Sequence, residues 1–345
     1  MSILHTLLLP LLIPLSWIYG LMIWIRNCLY NIGLLRSVSF DIPIISIGNI
    51  TMGGTGKTPM VIYLANYLKK NGNKPGIISR GYGRDSKGLI TVHDGNNLLV
   101  TVDISGDEPY LMARILDNVP VVVCENRCRG IKQLLNNYSV DVIIMDDGFQ
   151  HRQVNRDLDI VTISAYEKQK DYELIPLGNL REPIKNIKRA DLVIYTKTEN
   201  YKIPAIHSKI KHNLSGNIIN SFMQFVLMKY DGPGYHKLQP PDNYFFAFCG
   251  ISEPKSFINY ASKLELKIKG ERFYKDHQNY TQTIIEQLSE QIKRNACNHV
   301  LTTEKDIVKL PDSFLDEFEV YVIKIDIVFE NESIIQDVIQ PLLFN

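Results

Sequence analysis

The run Gly48-Asn-Ile-Thr-Met-Gly-Gly-Thr-Gly-Lys-Thr-Pro59 holds the residue types that grip a nucleotide's phosphates. Gly53, Gly54 and Gly56 allow main-chain N–H groups to turn inward on phosphate oxygens, with Thr51, Met52 and Thr55 completing the nucleotide-binding turn. Lys57 then reaches the β and γ phosphates, and the Thr58 hydroxyl suits magnesium. The common G-x-x-x-x-G-K-[ST] spacing puts glycine at 51, where this chain has Thr51; the Gly53-Gly54 pair two residues on offers relief. An acid is then needed opposite Thr58. Asp141-Val-Ile-Ile-Met145 is apolar and ends in Asp146-Asp147-Gly-Phe-Gln-His151, a Walker B arrangement whose alternative is a solvated turn. Asp107 and Glu108, in Ser105-Gly-Asp-Glu-Pro109, open a helix. They either complement its dipole or serve as carboxylates beside the nucleotide. His277, in Lys275-Asp-His-Gln-Asn-Tyr280, and the strand-end run Thr302-Thr-Glu-Lys-Asp306 commit to nothing alone.

These residues need strands and helices to hold them. Ile44 to Ile47 reads as a buried strand and Met60 to Lys70 as a helix, so the glycines sit on a strand-to-helix turn. Further strands are expected at Lys74–Ser79, Val119–Cys124, Asp141–Met145, Leu158–Ile163 and Leu192–Tyr195, with a helix carrying Arg127 and Arg129. The repeated order predicts an α/β fold, a P-loop NTPase-like doubly wound parallel sheet with ligands at the strands' carboxyl ends. Residues 88–104 read as a hairpin turning through Asp94-Gly-Asn-Asn97. Residues 200–220 are polar and irregular, and Asp231-Gly-Pro-Gly234 breaks an extended run, so a boundary falls near 220–235. A second, smaller α/β unit follows. Its strands are expected at Tyr244–Cys249, Lys267–Glu271, His299–Thr303 and Val320–Ile327, its helices at Pro254–Leu264 and Thr281–Asn295. Ser333 to Leu343 is amphipathic and can pack back on the first domain. The division is therefore 1–35 for an N-terminal helix, 36–222 for the nucleotide-binding domain and 223–345 for the smaller one.

The N-terminal segment Leu7 to Ile25 is nearly all apolar, close to the roughly 17–25 residues that span a bilayer, and contains Pro10, Pro14 and Gly20. No basic region precedes it and no small-residue cleavage site follows, which argues against a removable signal peptide. Arg26 and Arg36 lie just after it, and Trp17, Tyr19, Trp24 and Tyr30 favour the headgroup level. A helix lying in the membrane interface is preferred to a single span. At 345 residues and formal charge +1, the chain is long enough for two cores and shows no broad basic face for nucleic acid. The five cysteines are scattered without C-x-x-C spacing and read as buried free thiols.

Taken in order, the stretches Gly48–Pro59, Arg80-Gly-Tyr-Gly-Arg84, Gly106-Asp-Glu-Pro109, Asp146–His151, Leu180-Arg-Glu-Pro183, Asp276-His277 and Thr302–Asp306 closely resemble the tetraacyldisaccharide 4'-kinase family of lipid A biosynthesis. Thr51 in place of glycine is itself similar to that family. The resemblance implies a membrane-associated enzyme, on the cytoplasmic face of the inner membrane, that moves the γ-phosphate of ATP to the 4'-hydroxyl of a tetraacylated disaccharide 1-phosphate. It implies two α/β lobes joined by a short ribbon, closing around ATP and magnesium. By position it assigns Lys57 and Thr58 to phosphate and metal, Asp146 and Asp147 to the metal with Glu108 a further candidate, and Asp107 to the base side of a dyad with His277. Arg80, Arg84, Arg127, Arg129, Arg152 and Arg181 are candidates for the lipid's 1-phosphate. The expected partner is a lipid disaccharide met by a monomer, with no nucleic acid. The rival is a membrane-bound P-loop ATPase or GTPase acting as a switch; for the GTPase, Thr196-Lys-Thr-Glu199 is the only hint.

Overall fold

The computed structural model describes residues 3–199, 203–231, 235–238, 241–251 and 253–343. At the centre of the nucleotide-loop half of the sheet, short β-branched runs form strands buried on both faces, as expected where helices cover a parallel sheet from either side. The strands are β1 (Ile44–Gly48), β2 (Pro75–Ser79), β3 (Ile90–Asp94), β4 (Pro120–Val123), β5 (Val142–Asp146), β6 (Leu158–Ser164), β7 (Leu192–Thr196), β8 (Asn217–Tyr230), β9 (Tyr235–Lys237), β10 (Tyr244–Cys249), β11 (Lys267–Phe273), β12 (His299–Thr303) and β13 (Glu319–Phe329). All belong to one sheet ordered β11-β10-β12-β13-β8-β7-β6-β1-β5-β2-β4-β3, with β9 on β8.

Within the first block, β8-β7-β6-β1-β5-β2-β4 are parallel and only β3 runs antiparallel, at the edge. The chain leaves β1 for β2, skipping one position, and later returns as β5 and β6 on either side of β1. That reversal makes the carboxyl end of β1 the switch point where doubly wound sheets bind ligands. The second block, β11-β10-β12-β13, is parallel and meets the first through an antiparallel ladder of β13 on β8. β8 starts beside β7 and ends beside β13, so one unbroken strand crosses from block to block.

Several expectations are refined. The division expected between residues 222 and 223 falls inside β8, and of the anticipated break, 232–234 lie outside the described residues. The second arm of the 88–104 hairpin is not a strand: after one bridge between His93 and Leu98 the chain turns into the short helix Val102–Ser105. The reason is the destination. Gly106, at φ +88, must pass so close to the Tyr82 carbonyl that a Cβ would stand 2.8 Å from it, and a helical turn delivers it there. The polar 200–220 stretch contains a helix, His207–Asn213, seated through buried Ile210.

The helices Lys57–Lys70, Asp107–Ile115 and Ser333–Leu343 share one apolar layer with Ile45, Ile47, Ile144 and Ile160. Ile335 and Ile339 of the last helix are fully buried there, in the apolar layer of the first block. On the opposite face, Ile131 and Leu134 of the helix Arg127–Asn137 pack with Ile78, Val122 and Ile143. The five cysteines are free thiols, four of them buried. Ile339→Ala should destabilise the protein by about 2–5 kcal/mol, the cost of an isoleucine-sized hole, as a lower midpoint in urea unfolding.

Candidate active site

The loop after β1 is pinned from below and left open above. Thr55, buried at the turn's base, shares its hydroxyl with Asn49 Nδ2 at 3.1 Å and Thr162 Oγ1 at 2.8 Å, and its carbonyl accepts from Thr196 Oγ1 at 2.9 Å. Lys197 Nζ donates to the Gly54 carbonyl. Gly56 sits at φ +83, a backbone hand that favours glycine, with the flexible end of Met223 close by. Thr51 turns out to be a structural position. It bridges Leu180 in antiparallel fashion, flanked by Met52 N–H to the Asn179 carbonyl at 2.7 Å and Arg181 N–H to the Ile50 carbonyl at 2.9 Å. Its hydroxyl donates to Glu167, which is why a β-branched residue is at home there. Thr196-Lys-Thr-Glu199 is thus a brace: Thr196 and Lys197 hold the loop, while Thr198 and Glu199 hold β8 at Ser221 and Met223.

Because β5 lies beside β1, with Asp146 opposite Ile47, its terminal acids arrive next to the loop. Asp147 adopts φ +51 and accepts both oxygens' bonds from Arg181 Nη1 at 2.8 Å, with Lys57 Nζ 3.5 Å from Oδ1. Burial would raise its pKa, but the Lys57 and Arg181 charges outweigh that and leave it below the usual carboxylate range. Asp146 differs. It is buried, its Oδ2 accepts from Ser79 Oγ at 2.8 Å, and its Oδ1 has no partner among the described residues. Burial first, then repulsion from Glu108 and Asp147, pushes its pKa up. A buried oxygen without a donor is a strong acceptor in waiting.

Asp107 and Glu108 do not cap their own helix, whose N-cap is Gly106. Both reach the second block instead. Asp107 Oδ2 meets His277 Nδ1 at 2.9 Å and Lys309 Nζ at 3.0 Å, while Glu108 Oε1 accepts from Lys305 Nζ at 2.7 Å. His277 is presented at φ +57 in a tight turn, its ring edge-on to Tyr82. Behind Lys309, buried Asp306 is fixed by Tyr280, Thr303 and the Gly250 N–H. For Asp107 burial raises the pKa, but the His277 hydrogen bond and the Lys309 charge more than reverse it. The same hydrogen bond raises that of His277 against burial. Lys305 holds Glu108 well down. Lys305 and Lys309 were not singled out from sequence; the signal was Thr302–Asp306 at a strand end, which carries one of them and orients the other.

The arginines separate by what they already hold. Arg84 is tied to Gly88 and Glu125, Arg127 is buried against the Cys124 and Asp146 carbonyls, Arg152 is bound to the N-terminal helix and Arg181 to Asp147. Arg80 and Arg129 are exposed. The N-terminal helix, Ile3–Asn31, docks by one stripe: Ser16 Oγ to the Leu174 carbonyl, Tyr19 OH to the Arg181 carbonyl at 2.7 Å, and Asn27 to Glu182. Tyr19 therefore serves the protein, not the headgroup level expected of it. Trp17, Ile18, Leu21, Met22 and Trp24 face outward, and Leu9–Asn31 is long and apolar enough to cross a membrane by length and composition.

A braced glycine loop at a parallel sheet's switch point, with acids from the neighbouring strand beside its lysine, defines a P-loop nucleotide-binding α/β protein. More narrowly, the chain belongs to the tetraacyldisaccharide-1-P 4'-kinase family, which it matches over residues 8–343. The tetraacyldisaccharide 4'-kinase of Chlorobaculum parvum is 36% identical over 307 residues, 88% of this chain and 84% of that protein. That of Chlorobium luteolum is 38% identical, covering 87% and 86%. A crystal structure described as an "apo" form of LpxK from Aquifex aeolicus in complex with ATP superposes with a TM-score of 0.82 at 33% identity, over 99% of this chain and 100% of that one.

The Asp107–His277 contact has a titration signature. A histidine whose folded pKa is raised contributes stability fully below its unfolded value of about 6.5, and loses it as pH rises through the folded value. An NMR titration of the His277 ring should give a midpoint above 6.5, and Asp107→Asn should bring that midpoint back to or below it.

Proposed function

We propose that this chain transfers the γ-phosphate of ATP to the 4'-hydroxyl of a tetraacyldisaccharide 1-phosphate, giving lipid IVA. The observation that carries this reading is the 2.9 Å contact between Asp107, beside the phosphate loop, and His277, brought from the other block. A nucleotide switch needs no such residue pair spanning the two blocks, whereas phosphoryl transfer to a sugar hydroxyl needs a base.

His277 and Lys309 both take Asp107 Oδ2, so Oδ1 is the oxygen left to receive a proton from the substrate hydroxyl. The oxygen–phosphorus bond forms as the bond to the leaving ADP breaks, and the hydroxyl proton passes to Asp107. A carboxylate held at low pKa is ionised at neutral pH but is a weak base, which suits a loose transition state where the hydroxyl acidifies late. Lys57 and the loop amides bind and orient the phosphates; Arg181 fixes the carboxylate beside Lys57. The residues fit magnesium: Asp146 offers an unpaired buried oxygen and Thr58 a hydroxyl at the loop's end, whereas Asp147 and Glu108 are already matched by cations. Bound there, magnesium would neutralise charge on the β and γ phosphates.

Four acyl chains keep such a substrate in a bilayer. The N-terminal helix supports a place at its surface, because one stripe is bonded along the protein while tryptophans and aliphatic residues face away, the posture of an interfacial helix. We place the enzyme on the cytoplasmic face, where ATP is found, working as a monomer whose two blocks act as lobes around the β8–β13 ribbon. Arg80, exposed at the end of β2, is the foremost candidate for the lipid's 1-phosphate.

Incubating the protein with ATP and the acylated disaccharide should yield a product heavier by one phosphate, by mass spectrometry; ATP hydrolysis without that product would favour the switch. Asp107→Ala and His277→Ala should each lose about 10²–10⁴ in turnover while nucleotide still binds, whereas Lys57→Ala should impair binding and rate together. Deleting residues 1–30 should weaken activity on bilayer-presented lipid, measured in vesicles.

A further inference from the structure

Gln150 lies four residues beyond Asp146 and belongs to none of the roles above. Its side-chain amide nitrogen donates to the Asn49 carbonyl at 2.8 Å and to Glu182 Oε1 at 3.1 Å; its amide oxygen accepts from Arg181 Nη1 at 3.5 Å. Two acceptors on one side and a donor on the other leave a single orientation for the amide. Asn49 is the residue whose own side chain holds Thr55 at the base of the phosphate loop. Gln150 therefore grips the loop's stem.

Glu182, on the other side of Gln150, is wholly buried and has every reason to stay still. Its carboxylate also accepts from Arg189 Nη2 at 2.8 Å, Asn186 Nδ2 at 2.9 Å and Asn27 Nδ2 at 3.4 Å. Asn27 is on the N-terminal helix. The same helix donates Tyr19 OH to the carbonyl of Arg181, whose N–H bonds Ile50 and whose guanidinium holds Asp147. Two short paths thus run from the membrane-facing helix to the phosphate loop: Asn27–Glu182–Gln150–Asn49 and Tyr19–Arg181–Ile50.

We propose that Gln150 is a positioning residue for the phosphate loop and that, through Glu182 and Arg181, it ties the loop's affinity for ATP to the seating of the N-terminal helix. The proposal rests on the loop being the ATP site. Seating the helix fixes residues 181–182, which fix Gln150 and Ile50, which fix the stem from which the loop's amides project. A loosened stem presents those amides less well to phosphate, so the cost falls on nucleotide affinity and not on the chemistry at Asp107.

The test uses the full chain in detergent micelles, with ATP binding by calorimetry and steady-state kinetics on the lipid disaccharide. Gln150→Leu, which leaves the Asn49 carbonyl unpaired, should weaken ATP binding and raise the KM for ATP about tenfold. The KM for lipid and kcat at saturating ATP should hold, whereas a merely structural defect would lower the active fraction, and with it apparent kcat, without moving the KM for ATP. Tyr19→Phe with Asn27→Leu, changes remote from the loop, should weaken ATP binding about threefold. Gln150→Leu with Asn27→Leu added should bind ATP no more weakly than Gln150→Leu alone, because these two lie on the one path through Glu182. Unchanged ATP affinity in Gln150→Leu overturns the positioning role. Effects that multiply independently overturn the link to the helix. If Gln150→Leu does not fold, the helix pair decides, and unchanged affinity there overturns the proposal. A wild-type chain that fails to bind ATP is a different result, and sinks the underlying reading instead.

Discussion

Carboxylates crowded at the carboxyl edge of a parallel sheet cannot stay ionised there unless each is matched, because burying an unpaired charge costs several kcal/mol. Glu108, Asp146 and Asp147 repel one another beside the phosphate loop, Asp107 lies next to Glu108 in the chain, and the matching cations come from everywhere else. Lys57 comes from the loop, Arg181 from the turn after Asn179, and Lys305, Lys309 and His277 from the second block. This single requirement organises the molecule. It explains why a second block exists with two lysines on one short segment, and why Asp306 is buried behind Lys309 with every oxygen engaged. Of the four acids beside the loop, Asp146 is the one that keeps a buried oxygen unmatched and the one pushed toward neutrality.

The same requirement joins the two blocks more firmly than the ribbon does. β8 and β13 pair over nine residues, a ladder that fixes spacing but leaves twist comparatively soft. The ion pairs of Asp107 and Glu108 then set where, along that twist, the second block rests. The contact among Asp107, His277 and Lys309 would be stronger still with water excluded from around it.

How much of this was legible in the sequence follows from the range of the forces involved. The loop, its strand and its helix are local: glycine hand, β-branched runs and apolar spacing act within a dozen residues, and Gly48–Lys70 folds as read. The apolar run before Asp146 likewise announced its strand. The 88–104 hairpin failed because its second arm is steered by a close approach between Gly106 and Tyr82, a contact no local pattern encodes. Thr51 looked like a departure from the loop pattern until Leu180, far along the chain, supplied its partner. Asp107 with His277 could be paired only through family resemblance, since 170 residues separate them and neither has a distinctive neighbourhood. Lys309 carried no such hint and had to be found in space.

The last helix carries a consequence for how this protein comes into being. Ile335 and Ile339 complete the apolar layer that also holds Met60, Val61 and Leu64, the inner face of the helix that follows the phosphate loop. A ribosome making this chain therefore releases the nucleotide-binding half early but leaves that face bare until the helix Ser333–Leu343 has emerged. Domains usually fold in the order they emerge, whereas here the first to appear is the last to be finished. Premature termination between β13 and the last helix would yield a polypeptide that keeps every site residue named above but carries an open, sticky flank, fit for a protease before it is fit for catalysis.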